Sequence, residues 1–212
     1  MKRAVIIAAV AGAASVLMGS CATLSEEQCL VGDWYGIGVA DGERGYQTSR
    51  LSEHVEACAR HGVTPDTQAY LGGRERGLET YCTPGNGFRV GSSGGSYGGV
   101  CPAGLERDFV AAYSDGQIVW NAQVTLNNYR NDRSTAVARV QNLDSRISAE
   151  EARLGADGLT DDQKDAIRET IRDLRRERRR ALDEVDRIDF LIRDAEIEVA
   201  NLRDRLAPRW DY

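Results

Sequence analysis

The chain has 212 residues, a formal net charge of -6 and a pI of about 5.1. At 42% hydrophobic and 28% charged, with mean hydropathy -0.44, it is too apolar for a disordered chain and too polar for a polytopic membrane protein. The length suits one or two modest domains, and the acidic balance excludes phosphate-driven nucleic-acid binding by the chain as a whole.

Lys2 and Arg3 precede an uncharged stretch over residues 4–18, which leads into Met18-Gly19-Ser20-Cys21. That stretch suits the core of a signal peptide and is short of the ~20 residues a membrane span needs. A cysteine directly after two small residues resembles the lipobox of bacterial lipoproteins. The resemblance implies a signal peptide over 1–20, lipid on the Cys21 thiol, cleavage before it and acylation of the new amino group. Several acyl chains would hold the chain on a membrane where one chain binds only marginally. Ala22 follows the cysteine; by resemblance to enteric sorting signals, it points to the periplasmic face of the outer membrane.

Glycine divides the rest. All but four of the 22 glycines (Gly12, Gly19, Gly155 and Gly158) lie between Gly32 and Gly116, and no proline occurs between Pro102 and Pro208. We read a glycine-rich, cysteine-bearing helical domain at 21–116 and a helical region at 117–212. Within the first, Tyr35-x2-Gly38-x3-Gly42 recurs as Tyr70-x2-Gly73-x3-Gly77, and more faintly as Tyr113-x2-Gly116. Glycines four apart share a helix face and admit another backbone, and close packing must offset their cost of roughly 1 kcal/mol each. A phosphate-cradling loop is excluded, since no Gly-Lys-Ser/Thr and no strand-then-helix setting follows. Residues 83–104 show no hydrophobic period and are expected to form a loop.

Setting Cys21 aside leaves Cys29, Cys58, Cys82 and Cys101, an even number that in an oxidising compartment suggests two disulfides. Three pairings are open. If 33–45 and 51–62 are antiparallel helices, Cys29 comes close to Cys58. Cys82 then ends a helix over 65–82, and Cys101 closes the glycine-rich loop back onto it.

The second region is the clearest structural signal. A 3-4 alternation from Val119 runs through Leu126, Tyr129, Ala136, Val140, Leu143 and Ile147. From Ile167 it runs through Ile171, Leu174, Ala181, Val185, Ile188, Ile192, Val199, Leu202 and Leu206. Such a seam marks a coiled coil. Gly155 and Gly158 break the helix, and Thr160 with Gln163 has the spacing of a capping box that starts the next one. The short link makes the pair an antiparallel hairpin. In the run Arg175, Arg176 and Arg178–Arg180, Arg176 sits three residues from Asp173, Arg179 four from Asp183, and Arg180 three and four from Asp183 and Glu184, so we read a solvated, locally neutralised face. Arg178 occupies a seam position, where it is expected either to specify register or to pair with Asp144 across the hairpin. The tail at Trp210 and Tyr212 should then dock beside 105–116.

An ordered string of motifs carries a resemblance. Cys29-x4-Trp34-x3-Gly38-x2-Asp41-Gly42 is followed by His54-x3-Cys58-x2-His61-Gly62 and Pro65-Asp66-x3-Tyr70-x2-Gly73-x3-Gly77. Tyr81-Cys82 and Tyr97-x2-Val100-Cys101-Pro102 complete it. Together they resemble the bacterial lipoproteins of domain-of-unknown-function family 2799, over about 24–116. The resemblance implies an envelope lipoprotein and supplies no catalytic residue.

His54, Cys58 and His61 would share one face of a helix, as a zinc site requires. A disulfide at Cys58 would leave only two histidines, and no His-Glu-x-x-His, Cys-x-x-Cys or Gly-x-Ser-x-Gly occurs. Asp41 is a further candidate carboxylate. Two functions follow: a non-catalytic envelope module whose hairpin, residues 117–206, meets a protein partner or a second copy, or an enzyme or metal-binding protein using His54, His61 and Asp41. The long regular seam favours the first, with no metal, no cofactor and no catalytic residue expected.

Overall fold

The computed structural model describes residues 23–211, so Cys21 and Tyr212 lie outside the described residues. Those residues form seven α-helices and no strand: α1 (Glu26–Val31), α2 (Trp34–Glu43), α3 (Arg50–Ala59), α4 (Thr67–Tyr81), α5 (Pro84–Ser92), α6 (Ala103–Leu154) and α7 (Asp161–Leu206). A 3-10 turn, Ala207–Trp210, follows. The protein is all-α. None of these helices is long and apolar enough to cross a membrane.

Short polar residues start most of the helices. The Ser25, Asp33, Asp66, Thr83 and Thr160 side chains each accept a hydrogen bond from a first-turn backbone N–H, and Ser25–Gln28 and Thr160–Gln163 are complete capping boxes. One such cap overturns the expectation of a loop over 83–104. Thr83 and Pro84 begin α5, whose face of Gly87, Phe88 and Gly91 is buried. Glycine supplies no hydrophobic period, so pattern reading could not see this helix.

The glycine faces pack backbone on backbone. A Cβ added to Gly38 would lie 2.1 Å from the Tyr70 carbonyl oxygen, and one on Gly73 2.0 Å from that of Tyr35. Helix α2 therefore packs on α4, which corrects the expectation of an antiparallel pair between 33–45 and 51–62. A second pair follows the same rule. A Cβ on Gly87 would meet the Phe109 oxygen at 2.4 Å, one on Gly91 the Tyr113 oxygen at 2.1 Å, and one on Gly116 the Phe88 oxygen at 2.4 Å.

The two pairs correspond closely. Gly38, Gly42 and Gly45 of the first match Gly87, Gly91 and Gly94 of the second; Tyr70, Gly73, Gly77 and Tyr81 match Phe109, Ala112, Gly116 and Trp120. Gly45 and Gly94 both have positive φ, at 71° and 77°, and a Cβ on either would strike the Tyr81 or Trp120 ring at 2.3 or 2.5 Å. Arg74 donates to the Tyr46 carbonyl, and at the matching place Tyr113 donates to the Gly95 carbonyl. The faint echo placed at Tyr113-x2-Gly116 is thus Phe109-x2-Ala112-x3-Gly116, one helical turn earlier. Two disulfides brace the pairs from outside: Cys29–Cys58 joins α1 to α3, and Cys82–Cys101 joins the end of α4 to the segment just before α6, with Cα separations of 5.5 and 5.6 Å.

Helix α6 joins the second pair to the hairpin without a break, so the 116/117 boundary falls inside one helix. Its 52 residues and the 46 of α7 run roughly 78 and 69 Å at 1.5 Å per residue. Arg130–Glu196, Arg133–Asp189, Arg178–Asp144 and Arg175–Glu151 fix their antiparallel register. At the base, Trp210 packs with Phe88, Ala112 and Val119, and its indole N–H donates to Asp115 at 2.9 Å.

Candidate functional site

Three polar side chains are buried among the described residues: Asp41, His54 and Arg74. Asp41 belongs to α2, between Gly38 and Gly42, so the close approach of α4 carries it into the interior. Tyr70, on the facing turn of α4, donates its hydroxyl to Asp41 Oδ2 at 2.8 Å, and His54 Nε2 of α3 meets the same oxygen at 2.8 Å. The His54 and Tyr70 rings meet edge to face at 5.8 Å. At the far side of the imidazole, Thr23 Oγ1 lies 2.6 Å from Nδ1. An ionised Asp41 requires the proton on Nε2, which leaves Nδ1 to accept from the Thr23 hydroxyl.

The electrostatics agree. Burial acts to raise the Asp41 carboxyl, but hydrogen bonds from His54 and Tyr70 outweigh it and leave the group below its ordinary value. Burial, followed by the bond to Asp41, pushes Tyr70 well above the ordinary phenol range. The carboxylate stays charged because two donors converge on one oxygen.

Hydroxyl, imidazole and carboxylate in a line are the parts of a nucleophile relay. Here His54 is 1% exposed and Tyr70 fully buried, and the relay ends on Thr23, which it holds to the fold. Leu24, beside Thr23, is buried in the same cluster as Cys29, Cys58 and Tyr70. The arrangement fastens the segment at residue 23 to α2, α3 and α4.

The other candidates fall elsewhere. His61 lies past the end of α3, with Nδ1 3.7 Å from Glu26 Oε1, and does not share a face with His54. Cys58 is bonded to Cys29. No group of three His, Cys, Asp or Glu among the described residues could hold a metal ion. Tyr70 and Thr23 were missed as members of the network. Only the Tyr-x2-Gly-x3-Gly motif pointed toward Tyr70. The second pair provides an internal comparison, with Val90 and Phe109 at the places of Asp41 and Tyr70, packed in one apolar cluster. The helix pair itself therefore does not need the polar network.

These features define a class: two helix pairs zipped through glycine and braced by disulfides, the second of which runs on into an antiparallel hairpin. Residues 33–118 match the model of a family described as a protein of unknown function, DUF2799. The match runs from the start of α2 to just past Gly116, so it takes in both glycine-packed pairs and leaves out most of the hairpin. No curated protein and no solved structure matches the chain.

Proposed function

We propose that the protein is a non-catalytic module of the bacterial cell envelope, anchored by acylated Cys21 and acting by association through its hairpin. The observation that carries this reading is the arm itself. Beyond the base cluster of Phe88, Ala112, Val119 and Leu202, the two long helices pack chiefly on each other among the described residues. Catalysis has no use for such an arm, whereas presentation of a binding surface away from a membrane does.

The position of Thr23 supports the anchor. Only Ala22 separates it from Cys21, and its hydroxyl is held by His54, so a lipid at Cys21 would sit close to the first glycine pair with little slack. Such a short, fastened tether suits a fixed orientation over the bilayer. The competing reading, an enzyme or metal protein built on His54 and His61, gains nothing from the geometry, which buries one and separates the other.

Metabolic acyl labelling and envelope fractionation of the full chain test the anchor. Wild type should carry label and require detergent for release, and Cys21→Ser should lose both. Retention of label by Cys21→Ser would end the lipoprotein reading.

A further inference from the structure

The hairpin is incompletely packed at its middle. Between Leu126 and Leu143 no residue of α6 is buried, although Ala181, Val185 and Ile188 of α7 are buried opposite. On one face this leaves a groove of about 580 Å³, floored by Tyr129, Ala136, Ala181, Ile188 and Leu191. It continues toward the base past Ala122 and Ala195. None of the residues that form the cross-helix ion pairs lines it, so its charged rim is left for another molecule.

The rim has an order. With the register set by Arg133–Asp189 and Arg178–Asp144, the base half carries Glu198, Asp194 and Asp132, and the tip half carries Arg187, Arg139 and Arg180. Glu184, also on the tip half, is already paired with Arg187. Asp132, Asp194, Glu198, Arg139 and Arg180 make no ion pair among the described residues. The rim spans roughly 27 Å at 1.5 Å per residue.

We propose that this groove is filled by the same groove of a second copy of the chain, in an antiparallel, two-fold arrangement with the axis near Ala136 and Ile188. The rotation lays α7 on α7 and α6 on α6, setting Glu198 against Arg180 of the second copy and Asp132 against its Arg139, while Asp194 faces its Arg187–Glu184 pair. Every contact occurs twice, as an isologous interface demands. Alanines at the floor let the helices close into a four-helix bundle, in which Tyr129 and Leu191 lose their remaining exposure. A parallel arrangement would set acid against acid and arginine against arginine, which charge disfavours. The two glycine-rich regions then stand at opposite ends of the bundle, roughly 70 Å apart on the same rise per residue.

The inference deepens the association reading above and rests on it. Sedimentation of the full chain in detergent, with helix content checked by circular dichroism, tests it. Wild type should be a dimer that weakens as salt rises. Glu198→Arg and Arg180→Glu should each raise the dimer dissociation constant at least ~10-fold, because like charges then meet twice. The double variant should restore wild-type dimerisation, an outcome specific to the antiparallel register. A monomer at ~100 μM, far above the micromolar range of a working dimer, or a double variant as weak as the singles, would overturn the proposal. A monomer that still crosslinks through the groove to another protein in envelopes would remove the dimer and leave the association reading intact.

Discussion

Adjacent glycines on α4 should respond to alanine with opposite signs. Gly72 is exposed, and nothing lies within 4 Å of a Cβ placed there. Gly72→Ala should therefore gain only the helix-propensity difference, about 1 kcal/mol of stabilisation. At Gly73 the same Cβ would lie 2.0 Å from the Tyr35 carbonyl oxygen, 2.9 Å from its carbon and 3.1 Å from its Cα. All three are backbone atoms of α2, so no side chain can rotate away, and α2 must move by more than ~1 Å to reach ordinary contact distance. Overpacking of this kind costs about 1–3 kcal/mol and propensity returns about 1. The displacement also loosens the Asp41–Tyr70 contact, so the net effect should lie toward the upper end of that range. Urea unfolding with the disulfides oxidised, followed by fluorescence of Trp34 on α2, reads the difference, and an unchanged m-value shows that the end states are comparable. Gly73→Ala as stable as Gly72→Ala would refute the backbone-on-backbone account of the helix pair.

Four further expectations follow from the same packing. Because Asp41 titrates below its ordinary 3.8, its stabilisation should be complete above that value and lost as pH falls through the lower folded one. The stability gap between wild type and Asp41→Asn should accordingly begin to narrow below about pH 4 and close only below the folded value, and a gap that persists in stronger acid would show that the charge is not its source. Leu174→Ala, in the buried cluster with Leu143 and Ile147, should cost about 2–5 kcal/mol and raise amide exchange in the distal hairpin. Arg178→Ala, whose partner Asp144 is partly exposed, should cost about 1 kcal/mol or less. Replacing Cys82 and Cys101 by serine should lower stability by about 3 kcal/mol for a loop of this size; loss confined to the first glycine pair would contradict the two-pair description.

The hairpin was readable because its information is local. Each seam residue lies three or four positions from the next, and the Thr160–Gln163 box fixes where α7 begins. The Tyr-x2-Gly-x3-Gly string likewise announced α4 and its glycine face. Helix α5 was hidden because Gly87 and Gly91 do for it what leucines do for α7, burying a face without adding a hydrophobic period. The Thr23–His54–Asp41–Tyr70 network was hidden for a different reason. Its bonds join residues 31, 13 and 29 positions apart, and only the packing of α2 on α4 brings Asp41 under Tyr70. His61 shows the reverse error: its spacing from His54 suits a continuous helix, but α3 ends at Ala59 and the following turn carries His61 away.

Site-specific photo-crosslinking of the full chain in intact envelopes tests the central claim most directly. A probe at Leu191, on the groove of the hairpin, should form a discrete adduct in high yield, while one at Gly62, open on the glycine-rich region, should form little. Adducts at Gly62 with none at Leu191 would contradict the account and move the working surface to the glycine-rich region.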